Sequence, residues 1–244
     1  MATQDTPTVG EEAPRPLGRP RVAGGVTAGS PRDQIVAAAG RLFAERGYAQ
    51  VSMSDIARAA GLQQSSLYYW FRRKELVLQA TFAVNRVPLD FINRIGAGSG
   101  SPALKLYRLI RFDTLQLCRD PCDVNELERL AELQPDLFAT FWEDRQRLHD
   151  WIVTLVEAAV SEGQFAPCTP PLVALGILSF DEGLQKRFRH QAAHAEGGDN
   201  PFTHPSYAPD QLAEFAAATV LRSLMRRPGD ISRLRAKAAA YHDE

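Results

Sequence analysis

Several features that mark other protein classes are scarce in this chain. Its 244 residues hold three cysteines, Cys118, Cys122 and Cys168, an odd number that builds no disulfide framework. No apolar stretch reaches the roughly 18 uninterrupted residues that a membrane-spanning helix requires. The N-terminus lacks the apolar core of a secretory signal, so a cytoplasmic protein is expected. Strand-type alternation of apolar and polar residues is rare, and no segment repeats. No nucleophile–base set, glycine-rich phosphate loop or metal-ligand spacing is present, and His149 and His190 have no ligand cluster near them in sequence. Neither an enzyme, a cofactor nor a metal centre is expected.

What remains is helical and unevenly charged. Hydrophobic residues make up 45% of the chain, enough to pack a core. Ala, Leu, Arg and Glu recur at helical spacing, which predicts an all-α protein. The formal net charge of −1 taken alone argues against a nucleic-acid partner. The distribution of charge points the other way. Residues 13–78 hold ten Arg and Lys against four Asp and Glu, whereas the rest hold 18 against 25. A basic end on an acidic body suits a protein whose one end meets phosphate.

Helix boundaries are marked by caps and breakers. Ser30-Pro31 pairs a cap residue with proline at the first helical position, predicting a helix over 31–46. A helix over 74–95 is expected to kink at Pro88. Ser101-Pro102 repeats the start signal for a helix ending near 119. Further helices are expected over 124–133, 135–162, 170–189, 208–227 and 230–241. Residues 191–209 read as a long polar loop, functional or disordered. Residues 1–30 read as a flexible arm in which Arg15 to Arg21 resembles a degenerate AT-hook, with Leu17 in place of its first arginine. A solvated tail and a basic arm reaching the minor groove both fit it.

The densest signal is 51–80, VSMSDIARAAGLQQSSLYYWFRRKELVLQA. Ser52 with Asp55 three residues on is a capping box. Ile56, Ala57 and Ala60 give one apolar face, and Gly61 can end the helix in the left-handed conformation. Gln63, Gln64, Ser65 and Ser66 open a second helix that Leu67 and Phe71 anchor inward. Ile35, Ala38, Leu42, Phe43, Gly47 and Tyr48 supply a preceding apolar helix and its end. Together with Ile56-Ala57, Gly61-Leu62, Leu67-Tyr68, Phe71 and Lys74-Glu75, this pattern over residues 33–80 resembles the DNA-binding domain of the TetR family of transcriptional regulators. Ser65 departs from a usual glycine, Trp70 from a frequent histidine, and Val77 from a common leucine.

The resemblance implies an N-terminal three-helix helix-turn-helix domain over 31–78, preceded by a basic arm over 1–30. It further implies a larger helical effector-binding and dimerisation domain over 79–244. Carried over by position, Gln64, Ser65 and Tyr69 are the expected base contacts. Glutamine can bond bidentately to adenine, and a small or aromatic side chain can meet a thymine methyl. Ser52, Gln63, Ser66, Tyr68, Trp70 and Lys74 are the expected phosphate contacts, Lys74 because a helix N-terminus favours an anion. Core packing is the competing reading for Tyr68 and Trp70.

A short recognition helix reads few base pairs, so a homodimer on a near-palindromic double-stranded operator is expected. Leu172, Leu175, Leu178 and Phe180, with Phe215, Val220, Leu221 and Leu224, are the expected dimer interface. Phe82, Leu89, Tyr107, Ile110, Phe112, Leu115, Phe138, Trp142, His149 and Ile152 are the expected effector pocket, favouring a hydrophobic or aromatic small molecule. The function implied is a ligand-responsive repressor whose effector shifts the dimer away from DNA through the helix beginning at Lys74. Alternatives are a redox-switched regulator using Cys118 and Cys122, an activator, or a helical small-molecule-binding protein with a vestigial head.

Overall fold

A computed structural model describes residues 30–81, 86–120, 123–194 and 206–241, with side chains omitted at Ala44 and over 191–194. Among them the chain forms eleven α-helices and one 3-10 turn, with a single isolated bridge between Phe165 and Met225. The sequence of helices is α1 (Pro31–Arg46), α2 (Met53–Ala59), α3 (Gln64–Trp70), α4 (Lys74–Thr81), α5 (Arg86–Ala97) and α6 (Pro102–Arg119). It continues with α7 (Val124–Leu133), α8 (Ala139–Ser161), α9 (Pro170–His194), α10 (Pro209–Leu224), the 3-10 turn Pro228–Asp230 and α11 (Ile231–Ala238).

Local chemistry accounts for the head. Ser30 and Ser52 each close a reciprocal capping box, with Asp33 and Asp55 respectively, satisfying amides that a helix start leaves without partners. Gly61 takes φ +67°, a conformation a side chain would strain. That turn lets the Leu62 amide donate to the Ala57 carbonyl at 2.9 Å and reverses the chain into α3. Leu67 and Phe71 are buried, so α3 is fixed by one face and free on the other.

The body is organised around α6, which packs against α5, α8, α9, α10 and α11 and buries most of its residues. After α8, Gly163 turns the chain at φ +70° so that Phe165 enters the core fully buried. The Gln164 side chain then accepts from the Ala103 amide at 3.0 Å, a partner for one orphan donor at the start of α6. Two buried clusters result. One fills the body, including a stacked Phe91–Phe112 pair with ring centroids 4.0 Å apart. The other joins the head core to Leu117, to Val124, Leu127, Leu130 and Ala131 of α7, and to Phe138 and Phe141. The head core is therefore completed by residues well beyond α3 in the chain.

Several expectations are corrected. Pro88 is the third residue of α5, in a first turn where its missing N–H costs nothing, and it kinks no described helix. The helix expected over 135–162 starts at Ala139, after a turn in which the Phe138 amide bonds back to the Gln134 and Pro135 carbonyls. Helix α9 continues to His194, so the expected loop over 191–209 begins as helix. Helix α10 stops at Leu224, and α11 spans only Ile231–Ala238 because the chain first makes a 3-10 turn. Leu178 and Leu221, expected at a dimer interface, are buried within the body core. The AT-hook-like arm, Phe82 and Cys122 lie outside the described residues.

Candidate functional site

The head presents one polar and aromatic face. Gln64, Ser65 and Tyr69 are exposed on α3, Tyr69 at 81%. Ser52, Gln63, Ser66, Tyr68 and Trp70 are exposed around them, which answers the core-packing reading of the two aromatics. Tyr69 and Trp70 meet edge to face, centroids 5.3 Å apart, forming one aromatic wall. The Ser52 hydroxyl is engaged with Asp55, whose carboxyl is held below its usual range by those bonds. Arg72 and Arg73, immediately after α3, are exposed beside this face. Reasoning by family position missed them, although their charge and adjacency to the recognition helix are plain in the sequence.

Lys74, expected at phosphate, is engaged within the head. Its ammonium donates to the Tyr48 and Val51 carbonyls, each at 2.9 Å, and lies 4.0 Å from the Tyr48 ring centroid. Burial lowers its pKa. Tyr48 in turn donates its hydroxyl to Glu75 at 3.1 Å. Lys74 thus ties the α1–α2 connection to the start of α4, and its charge is already satisfied by protein acceptors. The helix N-terminus it begins remains an anion-favouring end.

Of the ten residues expected to line an effector pocket, the nine that are described are not brought together. Leu89, Ile110, Phe112 and Ile152 pack in the body core. Phe138 and Trp142 belong to the cluster that completes the head. His149 faces outward, its Nδ1 3.2 Å from the Asp150 carboxylate. Tyr107 and Leu115 line a cleft of about 690 Å³ between α6, α10 and α11, whose other walls are chiefly arginine and carboxylate. Leu172, Leu175 and Phe215 are more than half exposed, and Phe180 packs towards Phe215 with centroids 6.1 Å apart.

A polar seam between α6, α8 and α9 had no sequence signature. Asp113 and Asp181 are buried, and Asp181 Oδ2 has no hydrogen-bond partner. The Thr114 hydroxyl lies 2.8 Å from both the Ile110 carbonyl and Asp181 Oδ1. One hydroxyl proton cannot serve two acceptors fully, and the count balances when Asp181 is protonated and donates to Thr114. Burial, then the charge of Asp113, indeed raises the Asp181 pKa. Burial and Glu182 push Asp113 up to about 7 against the opposing pull of Arg145. Arg145 pairs with Glu182 at 2.6 Å and Glu128 at 3.4 Å, so one cation serves the group. Nearby, fully buried Gln185 donates to the Leu117 carbonyl at 2.8 Å and accepts from the Val124 amide at 3.0 Å. It thereby stitches the end of α6 to the start of α7. Cys118 is buried and its thiol is pushed up to about 11, which removes thiolate character from the expected redox switch.

No described helix is long and apolar enough to cross a membrane, and no described group of three or more His, Cys, Asp or Glu is placed to hold a metal ion. Residues 35–81 match the profile described as "Bacterial regulatory proteins, tetR family". The HTH-type transcriptional repressor KstR2 of Mycolicibacterium smegmatis is 29% identical over 147 residues, covering 57% of this chain and 69% of that protein. The solved structure of the ketosteroid transcriptional regulator KstR2 of Mycobacterium tuberculosis superposes with TM-score 0.64 at 22% identity, over 85% of this chain and 100% of that one. The crystal structure of Mycobacterium smegmatis AmtR gives TM-score 0.62 at 27% identity, over 92% and 99%. Residues 35–81 thus match the tetR-family head, and the described helices share the fold of the KstR2 and AmtR regulators, so the chain is similar to TetR-family transcriptional regulators.

Proposed function

We propose that this regulator is a ligand-responsive repressor that binds a near-palindromic operator as a homodimer, with residues 31–78 reading DNA and the body binding effector. The observation that carries the DNA-reading part is the division of α3. Leu67 and Phe71 are locked in the core, while Gln64, Ser65 and Tyr69 project from the opposite face. A helix so fixed offers side chains to base edges without first paying to order itself. Ser52, Gln63, Ser66, Tyr68 and Trp70 flank it as phosphate grips, joined by Arg72 and Arg73. Lys74 acts by positioning α4. The exposed Leu172, Leu175 and Phe215, with Phe180, Val220 and Leu224 at their edge, support dimerisation through α9 and α10. Repression is favoured over activation by the relative described as a repressor. The hydrophobic or aromatic character proposed for the effector rests on the resemblance to the family, since Phe91 and Phe112 stack within the packed body core.

The test is selection of binding sites from a random duplex pool, followed by anisotropy on the winning sequence across a salt series. A near-palindrome bound with steeply salt-dependent affinity is expected. Failure to enrich any sequence would overturn the reading of the head.

A further inference from the structure

The cleft between α6, α10 and α11 is unlike the apolar core beside it. Four guanidinium groups line it, from Arg108, Arg111, Arg119 and Arg235, against two carboxylates, Asp210 and Glu214. Glu214 is already committed. It accepts from the Tyr107 hydroxyl at 2.6 and 2.7 Å and pairs with Arg235 at 2.5 Å. Asp210 is left to serve both Arg111, at 3.4 Å, and Arg119, at 3.8 Å, while Arg111 stands 4.0 Å from Glu214. The wall behind them is firm. Arg108 is 8% exposed and its guanidinium carbon lies 4.0 Å from the centroid of the Tyr241 ring. The void of about 690 Å³ lies within the range of small-molecule sites.

We propose that this cleft binds a small molecule carrying at least two negative charges, a phosphate ester or a polycarboxylic acid, on Arg111 and Arg119. Arg111 and Arg119 share the single carboxylate of Asp210 across the cleft, so an anion entering it meets two guanidinium groups held by one carboxylate. The planar guanidinium fork suits bidentate capture of carboxylate or phosphate oxygens. Asp210, held at longer distance than a tight ion pair, can release both arginines to the incoming anion at little cost. The site concerns binding only, and it stands whether or not the regulatory reading above holds.

Titration calorimetry on the full chain, without DNA and at low ionic strength, tests it with two probes, pyrophosphate and citrate. Binding of at least one is expected, weakened roughly tenfold or more in the Arg111→Ala/Arg119→Ala variant, the scale of losing a charge-assisted contact. Preference for pyrophosphate assigns a phosphate ester, and preference for citrate assigns a polycarboxylic acid. The Arg111→Lys/Arg119→Lys pair keeps the charge and loses the fork, so it should bind more weakly than the parent and provides a reading if the alanine pair does not fold. Lys186→Ala/Arg187→Ala, exposed on α9, should bind as the parent does. Absence of binding by both probes would overturn the proposal. So would binding unaffected by either change at Arg111 and Arg119, or an equal loss in the α9 control.

Discussion

The head and the body handle polarity in opposite ways. Among the described residues, every buried polar or charged side chain belongs to the body: Arg108, Asp113, Thr114, Asp144, Asp181 and Gln185. In the head the core is apolar apart from the part-buried Tyr48, Lys74 and Glu75 set, and the polar and aromatic groups of α3 stand outside. Under the proposed DNA-reading role, such a face has no reason to bury charge, since phosphates and base edges come to it. Carboxyls and guanidinium groups placed inside must instead be compensated by one another, as Glu182 and Glu128 are by Arg145. The cost of that arrangement is visible in buried Asp181, whose Oδ2 has no hydrogen-bond partner.

The sharpest way to break this contrast is to attack the one place where the two regions share a core. Phe138 is fully buried in the head's cluster although it precedes α8. Phe138→Ala should cost about 3–5 kcal/mol of stability and lower operator affinity without touching the DNA face. Urea denaturation monitored alongside anisotropy reads both. A head that keeps its affinity and melting behaviour would mean that it folds independently of α7 and α8.

Next in size is the acid seam. Folded-state pKa values of Asp113, Asp181 and Glu182 are raised. A raised acid binds more protons folded than unfolded, so stability is fully present below the unfolded value and is lost as pH rises. For Asp113 the window runs from the ordinary carboxylate value of 3.8 to about 7. The urea midpoint should therefore fall between about pH 4.5 and about pH 7.5, which span roughly that window. Asp113→Asn should flatten the profile. An unchanged slope would remove the seam as its source.

On the outer face the effects are smaller and confined to binding. Gln64→Ala should weaken operator binding by about 1–3 kcal/mol and relax preference at one base pair, leaving stability unaltered. Uniform loss across operator variants would demote it to a phosphate contact. The smallest expected change is at Arg72. Arg72→Ala should lower affinity alike on all sequences and reduce the salt slope by about one. A salt slope identical to that of the parent would show that Arg72 makes no phosphate contact.

Legibility follows the range of the interactions. Helix α1 spans 31–46 as its cap, proline and glycine predict, and the Ser52–Asp55 box, Gly61 turn and Leu67–Phe71 anchor are all readable, because each acts within a few residues. The exposure of Gln64, Ser65 and Tyr69 follows from the same periodicity. The role of Lys74 is not readable in this way, because its acceptors, the Tyr48 and Val51 carbonyls, are distant in sequence and have no side-chain signature. The expected pocket residues scatter for a related reason. An aromatic at helical spacing announces burial, but it does not announce whether Phe138 packs beneath the head or Phe112 within the body.

By itself the sequence determined the all-α class, the caps and turns that start and end the helices of the head, the basic end, and the exposed polar face of α3. These follow from spacing and local hydrogen bonding, which neighbouring residues carry among themselves. Only the tertiary structure decided that α7 completes the head core, that Gln185 joins α6 to α7, and that four arginines from α6 and α11 converge on one cleft. Those outcomes depend on which helix faces meet across long stretches of chain. That choice is set by packing of the whole core and not by any local pattern of residues.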